Sequence, residues 1–147
     1  TSLLILVGVI LDTLQQIDIS MELSSEFPFA NDVWPSDVTF WLNDVSLGSW
    51  TSPGDFADTR GKLNPAYWPD NMNQYGLLKT LRITKHGTYI DGDFLSDVTL
   101  DQIQQKLEVW DLKFEVNKEA QNVGGLTLFG KNFGNHNQDI LVKTYYS

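Results

Sequence analysis

The residues that could bind or transform a ligand are concentrated in residues 46–76, a segment rich in Gly, Pro, Asn and Asp. Aromatic faces stack on sugar rings and other flat apolar ligands, while polar neighbours fix the ligand's orientation. Long loops in compact domains are usually functional or disordered, and disordered segments are poor in aromatics. We therefore predict an ordered binding loop. The candidate ligand-binding residues in this loop and just after it are Trp50, Asp55, Asp58, Arg60, Tyr67, Trp68, Tyr75 and Lys79.

Two other roles for the same aromatic side chains stay open. They could fold back and plug the end of a β-sandwich. They could also form a dimer interface, where Trp, Tyr and Arg are enriched.

The acidic residues give no clear catalytic pattern. A glycosidase needs two carboxylates set across a cleft. Asp55 and Asp58 share one loop, and Asp91, Asp93 and Asp97 share another. Asp is also common in turns because its side chain bonds its own backbone. Since the spacing favours no pair, we assign no catalytic residue.

Metal sites have equally little support in the sequence. His86 and His136 lie in separate Gly/Asn-rich turns without the HExxH spacing of a zinc site. Residues 135–139 offer oxygen ligands suited to calcium, but the EF-hand spacing is absent. We assign no metal ligand and expect no cofactor, with structural calcium left as an open alternative.

Charge and composition narrow the class of protein. Ten basic and nineteen acidic residues give a net charge of −9. This disfavours direct binding of nucleic acid or of an anionic membrane surface. The chain has no cysteine, which excludes a disulfide framework and fits a reducing compartment. Residues 3–11 are apolar but too few to span a bilayer, which takes about 20. We expect a buried strand there, or a short buried helix extending to Leu14.

The remaining pattern predicts short strands separated by turns. Residues 17–23 and 112–116 alternate apolar and polar side chains, and residues 139–146 predict a last strand with Ile140, Val142, Thr144 and Tyr146 on one face. Residues 37–50 predict a hairpin that turns at Asn43 and Asp44. Residues 77–84 predict another strand, and Thr99 with Gln102 predicts a short helical turn. We therefore expect residues 1–147 to form one all-β domain, an antiparallel jelly-roll-like β-sandwich with long loops at one end.

Several long runs resemble one protein family. They include TSPGDFADTRG at residues 51–61, QYGLLKTLRIT at residues 74–84 and NVGGLTLFGKNFGNHNQDI at residues 122–140. These runs resemble the C-terminal β-rich, carbohydrate-binding-like domain of bacterial ArsR-like winged-helix transcriptional regulators. The resemblance covers about residues 17–146. It implies a C-terminal fragment of a longer regulator, whose DNA contacts belong to a separate N-terminal domain.

The resemblance leads to a functional expectation. We expect a non-catalytic, cytoplasmic domain that senses a small-molecule effector, such as a sugar-like molecule, or that self-associates. We expect no membrane partner. The alternative is a carbohydrate-binding module of a secreted protein, and a glycoside-acting enzyme has the least support.

Overall fold

The protein is described by a computed structural model that covers residues 13–103 and 109–147. The predicted element at residues 3–11 lies outside the described residues. The described strands are β1 (Leu14–Ser24), β2 (Ser36–Leu42), β3 (Val45–Ser52), β4 (Leu77–Thr84), β5 (Thr88–Ile90), β6 (Asp93–Ser96), β7 (Leu112–Glu115), β8 (Thr127–Phe129) and β9 (Leu141–Tyr146).

These strands form two antiparallel sheets. The larger sheet has the order β6-β5-β4-β1, and both β8 and β9 pair with the other side of β1. The smaller sheet has the order β3-β2-β7. The only described helical segment is the 3₁₀ turn Leu100–Gln102, where the Thr99 N–H donates to Gln102 Oε1 at 3.0 Å. The predicted all-β, antiparallel sandwich-like fold is confirmed.

The core lies between the sheets because alternate side chains of each strand point to the same face. Ile17, Ile19, Met21 and Leu23 of β1 are fully buried. They belong to one cluster with Phe40 of β2 and its neighbours Val38 and Leu42. The regular alternation of residues 17–23 therefore fixes which face of β1 enters the core.

The β2–β3 hairpin turns where the sequence predicts. Asn43 and Asp44 have φ values of 47° and 67°, which place both residues in the left-handed region. Two-residue hairpin turns of this kind favour Asn and Asp because these residues tolerate positive φ. This turn lies at the end of the sandwich opposite to the long loops.

The last strand departs from the expected alternation. All six residues of β9 are exposed, including Val142 and Tyr146. Val142 and Thr144 face an open apolar gap that they share with Leu42 and Leu112 of the smaller sheet. Alternating side chains therefore do not produce a buried face there.

Antiparallel pairing brings the long loops together at one end of the sandwich. Leu23 of β1 pairs with Leu77 of β4, and Ser36 of β2 pairs with Ser52 of β3. The Ser25 hydroxyl donates to the Ser52 hydroxyl at 2.9 Å, which joins the two sheets at this end. Segments 25–35, 53–76 and 116–126 therefore leave the strands on the same side, as predicted, and segment 130–140 contacts segment 53–76 from the edge formed by β8 and β9.

No helix of residues 13–103 and 109–147 has the length and apolar character needed to cross a membrane.

Candidate functional site

Segment 53–76 is ordered by hydrogen bonds to one buried amide. Gln74 is fully buried, and its Oε1 accepts from the Gly61 N–H and from Asn64 Nδ2, both at 3.0 Å. Its Nε2 donates to the Pro69 carbonyl at 2.6 Å. Segment 53–76 thus folds around the side chain of its own Gln74. Nothing in the sequence distinguishes Gln74 from the other polar residues of this segment, so its role could not be predicted.

A buried carboxylate ties this segment to segment 130–140. Glu22 is 1% exposed and lies on the face of β1 that points away from the core. Its Oε2 accepts from the N–H groups of Gly76 at 2.8 Å and Asn135 at 3.0 Å. Its Oε1 accepts from the His136 N–H at 3.0 Å. Several backbone donors on one carboxylate hold both loops against the sheet.

The two loops also bond to each other. Asn64 Oδ1 accepts from the Gly134 N–H at 2.6 Å, and the Leu63 N–H donates to the Gly134 carbonyl at 2.9 Å. The Lys62 N–H donates to Asn135 Oδ1 at 3.0 Å. Gly134 has a φ of 71°, and a Cβ there would lie 2.3 Å from Glu22 Oε2. Glycine is therefore required at this position.

An aromatic cavity of about 340 Å³ opens where three chain segments meet. Its volume lies within the range of small-molecule sites. Its lining consists mainly of aromatic and aliphatic side chains, contributed by segment 25–35, segment 53–76 and the chain around β8. The lining residues are Glu26, Phe27, Pro28, Phe29, Trp68, Met72, Asn73, Thr127, Leu128, Phe129, Gly130 and Phe133.

Trp68 is held in the wall of the aromatic cavity by its backbone and by its ring. Its Nε1 donates to the Asn73 carbonyl at 2.9 Å. Its ring meets Phe133 edge to face, with centroids 5.6 Å apart. Arg60 donates to the Trp68 carbonyl at 3.0 Å and forms an ion pair with Asp70. Arg60 thus stabilises the turn that positions the Trp68 indole.

Asn73 brings the three segments together at the cavity. Its N–H donates to the Phe29 carbonyl at 3.2 Å, and its Nδ2 donates to Thr127 Oγ1 at 2.9 Å. Its Oδ1 is buried and has no hydrogen-bond partner within residues 13–103 and 109–147. Buried polar atoms are normally paired. Because this oxygen is closed off from the cavity, it does not offer an acceptor to a ligand there.

An acidic recess lies beside the aromatic cavity, with Phe29 lining both. Asp32, Asp55 and Asp58 line the recess. Asp55 is fully buried, its Oδ2 accepts from the Phe27 N–H at 2.8 Å, and its Oδ1 has no partner in the described chain. Burial raises the pKa of Asp55 because it penalises the charged carboxylate. The described residues contain no group of three or more His, Asp or Glu that could hold a metal ion.

The structure separates the predicted ligand-binding residues. Trp68 lines the aromatic cavity, whereas Asp55 and Asp58 line the acidic recess. The Tyr75 hydroxyl donates to Asp58 Oδ1 at 2.5 Å, a bond that raises the pKa of Tyr75. Tyr67 is 78% exposed and lines neither site.

Two of the predicted residues meet on the strands instead. Lys79 Nζ lies 5.1 Å from the ring centroid of Trp50 and 3.0 Å from Asp91 Oδ2. Trp50 packs against the core cluster, and neither it nor Lys79 lines the aromatic cavity. This contact gives both residues a structural role.

Most of the cavity's aromatic residues are not among the sequence candidates. Phe27, Phe29, Phe129 and Phe133 line it, but they are far from Trp68 in the sequence. One sequence feature could have indicated three of them. Phe27, Phe29 and Phe133 lie in Pro-, Gly- or Asn-rich segments outside the predicted strands, where a large apolar side chain is not needed for the core between the sheets.

Comparison with known protein families, with curated proteins and with solved structures finds no match for this chain.

Proposed function

We propose that this domain binds a small molecule in the aromatic cavity and serves as the effector-sensing domain of a cytoplasmic bacterial transcriptional regulator, without catalysing a reaction. The observation that carries the proposal is the aromatic cavity, which has ligand-sized volume and a largely aromatic lining. The resemblance of residues 51–61 and 122–140 to regulator domains supports the regulatory context.

The construction of the aromatic cavity suits a sensor. Its walls come from three chain segments that meet at Asn73. A ligand that contacts all three walls stabilises the conformation in which the three segments lie close together. Control of an attached domain requires that the ligand bind one conformation of the protein more tightly than the other.

The polar groups around the aromatic cavity favour binding over hydrolysis. Among the described residues that line it, Glu26 is the one carboxylate. Glycoside hydrolysis needs a pair of carboxylates on either side of the scissile bond. The aromatic lining also favours an apolar ligand over a sugar, because a bound sugar's hydroxyl groups need many hydrogen-bond partners.

A fragment screen with matched tryptophan variants tests the proposal. We expect bound fragments to change the tryptophan fluorescence of the wild-type chain. Calorimetry, which does not depend on the fluorophore that the substitution removes, should show that Trp68→Leu abolishes this binding, since the indole forms a cavity wall. Trp50→Phe should preserve binding because Trp50 lies elsewhere, on Lys79. Thermal melts check that both variants fold. Binding that persists in a folded Trp68→Leu variant contradicts the proposal, as does the absence of any bound fragment.

The regulatory role needs a second measurement. A fragment that binds the aromatic cavity should change the operator affinity of the full-length regulator. Allosteric coupling is typically about 5- to 150-fold. Unchanged operator affinity at a saturating concentration of the fragment contradicts the sensing role while leaving the binding role intact.

Self-association through β9 is a second candidate function. β9 pairs only with β1 among the described strands, and Leu141, Val142, Tyr145 and Tyr146 are exposed on it. Exposed apolar edge strands readily pair with another chain. We expect sedimentation equilibrium to show a dimer that Val142→Lys dissociates. A monomeric wild-type chain at micromolar concentration contradicts this candidate.

A further inference from the structure

We infer that the aromatic cavity takes a planar apolar organic cation, such as a protonated arylmethylamine. This inference rests on the proposed function and specifies its ligand class. It follows from the charges around the cavity and from its aromatic rings.

The charged group at the aromatic cavity is acidic. Glu26 lines the cavity and is exposed to solvent. None of the described lining residues is Lys, Arg or His. Asp55 lies directly behind the wall, where the Phe27 N–H bonds its Oδ2 while its Oδ1 has no partner in the described chain. A low-dielectric site flanked by carboxylates favours a cation and repels an anion.

The rings distinguish a cation from a neutral ligand. Trp68 and Phe133 are held edge to face, and Phe27 and Phe29 contribute to another wall. The face of an aromatic ring attracts an organic cation, most strongly at Trp. A hydrated metal ion does not fit this lining because calcium and magnesium require oxygen ligands. The net charge of −9 further favours the approach of cations.

Three probes of nearly equal shape test the inference. They are 2-naphthylmethylammonium, 2-naphthylmethanol and 2-naphthoate, titrated calorimetrically at pH 7 into the 147-residue chain. We expect the ammonium probe to bind at least about tenfold more tightly than the alcohol, and naphthoate to bind most weakly.

Two charge-matched variants locate the effect. Glu26→Gln should weaken the ammonium probe several-fold and leave the alcohol unchanged. Asp44→Asn removes the same unit charge from the hairpin turn at the opposite end. It should leave both affinities unchanged because salt screens charges beyond about 8 Å. If the two variants weaken binding of the ammonium probe equally, the attraction is not specific to the cavity and the inference is overturned.

The outcomes separate this inference from the proposed function. Tightest binding by the alcohol or by naphthoate overturns the cation class, but binding that Trp68→Leu abolishes still supports a site in the aromatic cavity. Ammonium binding that persists in a folded Trp68→Leu variant overturns both. If none of the three probes binds, the cation class is overturned, and the fragment screen decides the proposed function independently.

Discussion

Replacing Glu22 with Gln tests whether one buried carboxylate holds the binding loops in place. Glu22 is 1% exposed, and its Oε2 accepts from Gly76 and Asn135 while its Oε1 accepts from His136. Glutamine nearly preserves the shape but replaces one oxygen with an NH₂ group. That group would face backbone N–H donors, so at least one of them loses its acceptor.

The expected loss of stability follows from these contacts. A hydrogen bond to a charged group contributes about 1.5–3 kcal/mol, and a buried donor left unsatisfied costs about 1–3 kcal/mol. With one or two donors affected, Glu22→Gln should lower the free energy of unfolding by about 3–5 kcal/mol. Breaking buried charged interactions has a similar cost.

Urea unfolding at pH 7 measures this loss directly. Glu119→Gln is the matched control because Glu119 is exposed, and surface substitutions usually change stability by less than about 0.5 kcal/mol. Gly134→Ala provides independent support, since its Cβ would clash with Glu22 Oε2. A Glu22→Gln variant within about 1 kcal/mol of wild type would refute the reasoning.

Three further predictions concern charge. Arg82 lowers the pKa of Asp18 by hydrogen bonding and by its charge. The stabilisation from this pair should therefore be complete above about pH 4 and should be lost as the pH falls through the lowered pKa of Asp18 in the folded state. Urea unfolding at several pH values should show that acid destabilises Asp18→Asn less than it destabilises the wild type. The pKa of Asp55 is raised, so its contribution to stability should decrease as the pH rises above about 4. Asp55→Asn should consequently melt at or above the wild-type temperature at pH 7, and a clearly lower melting temperature would argue against this. Finally, the isolated chain should give no mobility shift with duplex DNA, and a salt-sensitive shift would contradict this expectation.

The fold could be predicted to a large extent because its strands depend on local pattern. The predicted strand at residues 77–84 has the bounds of β4, and the predicted turn at Asn43 and Asp44 forms the β2–β3 hairpin. Alternation within residues 17–23 identifies the core face of β1. The exposure of β9 could not be predicted this way, since it depends on the gap that remains between β9 and the opposite sheet.

The candidate site was less predictable because closeness in sequence does not determine which side chains meet. Trp50 and Lys79 flank the long loop in sequence but contact each other on the strands. Phe129 reaches the aromatic cavity only because β8 pairs with β1. The role of Glu22 also depends on tertiary contacts, because Gly76 and His136 are distant from it in the chain.

An NMR titration of the indole N–H signals tests the central claim most directly. The wild-type chain, labelled with ¹⁵N, is titrated with 2-naphthylmethylammonium, and Trp68→Leu assigns the Trp68 signal. We predict that the Trp68 Nε1–H signal shifts with saturation, together with the Asn73 side-chain amide. The Trp50 signal should remain in place, since Trp50 lies on Lys79. An unchanged Trp68 signal, or a shift confined to Trp50, would contradict a binding site in the aromatic cavity.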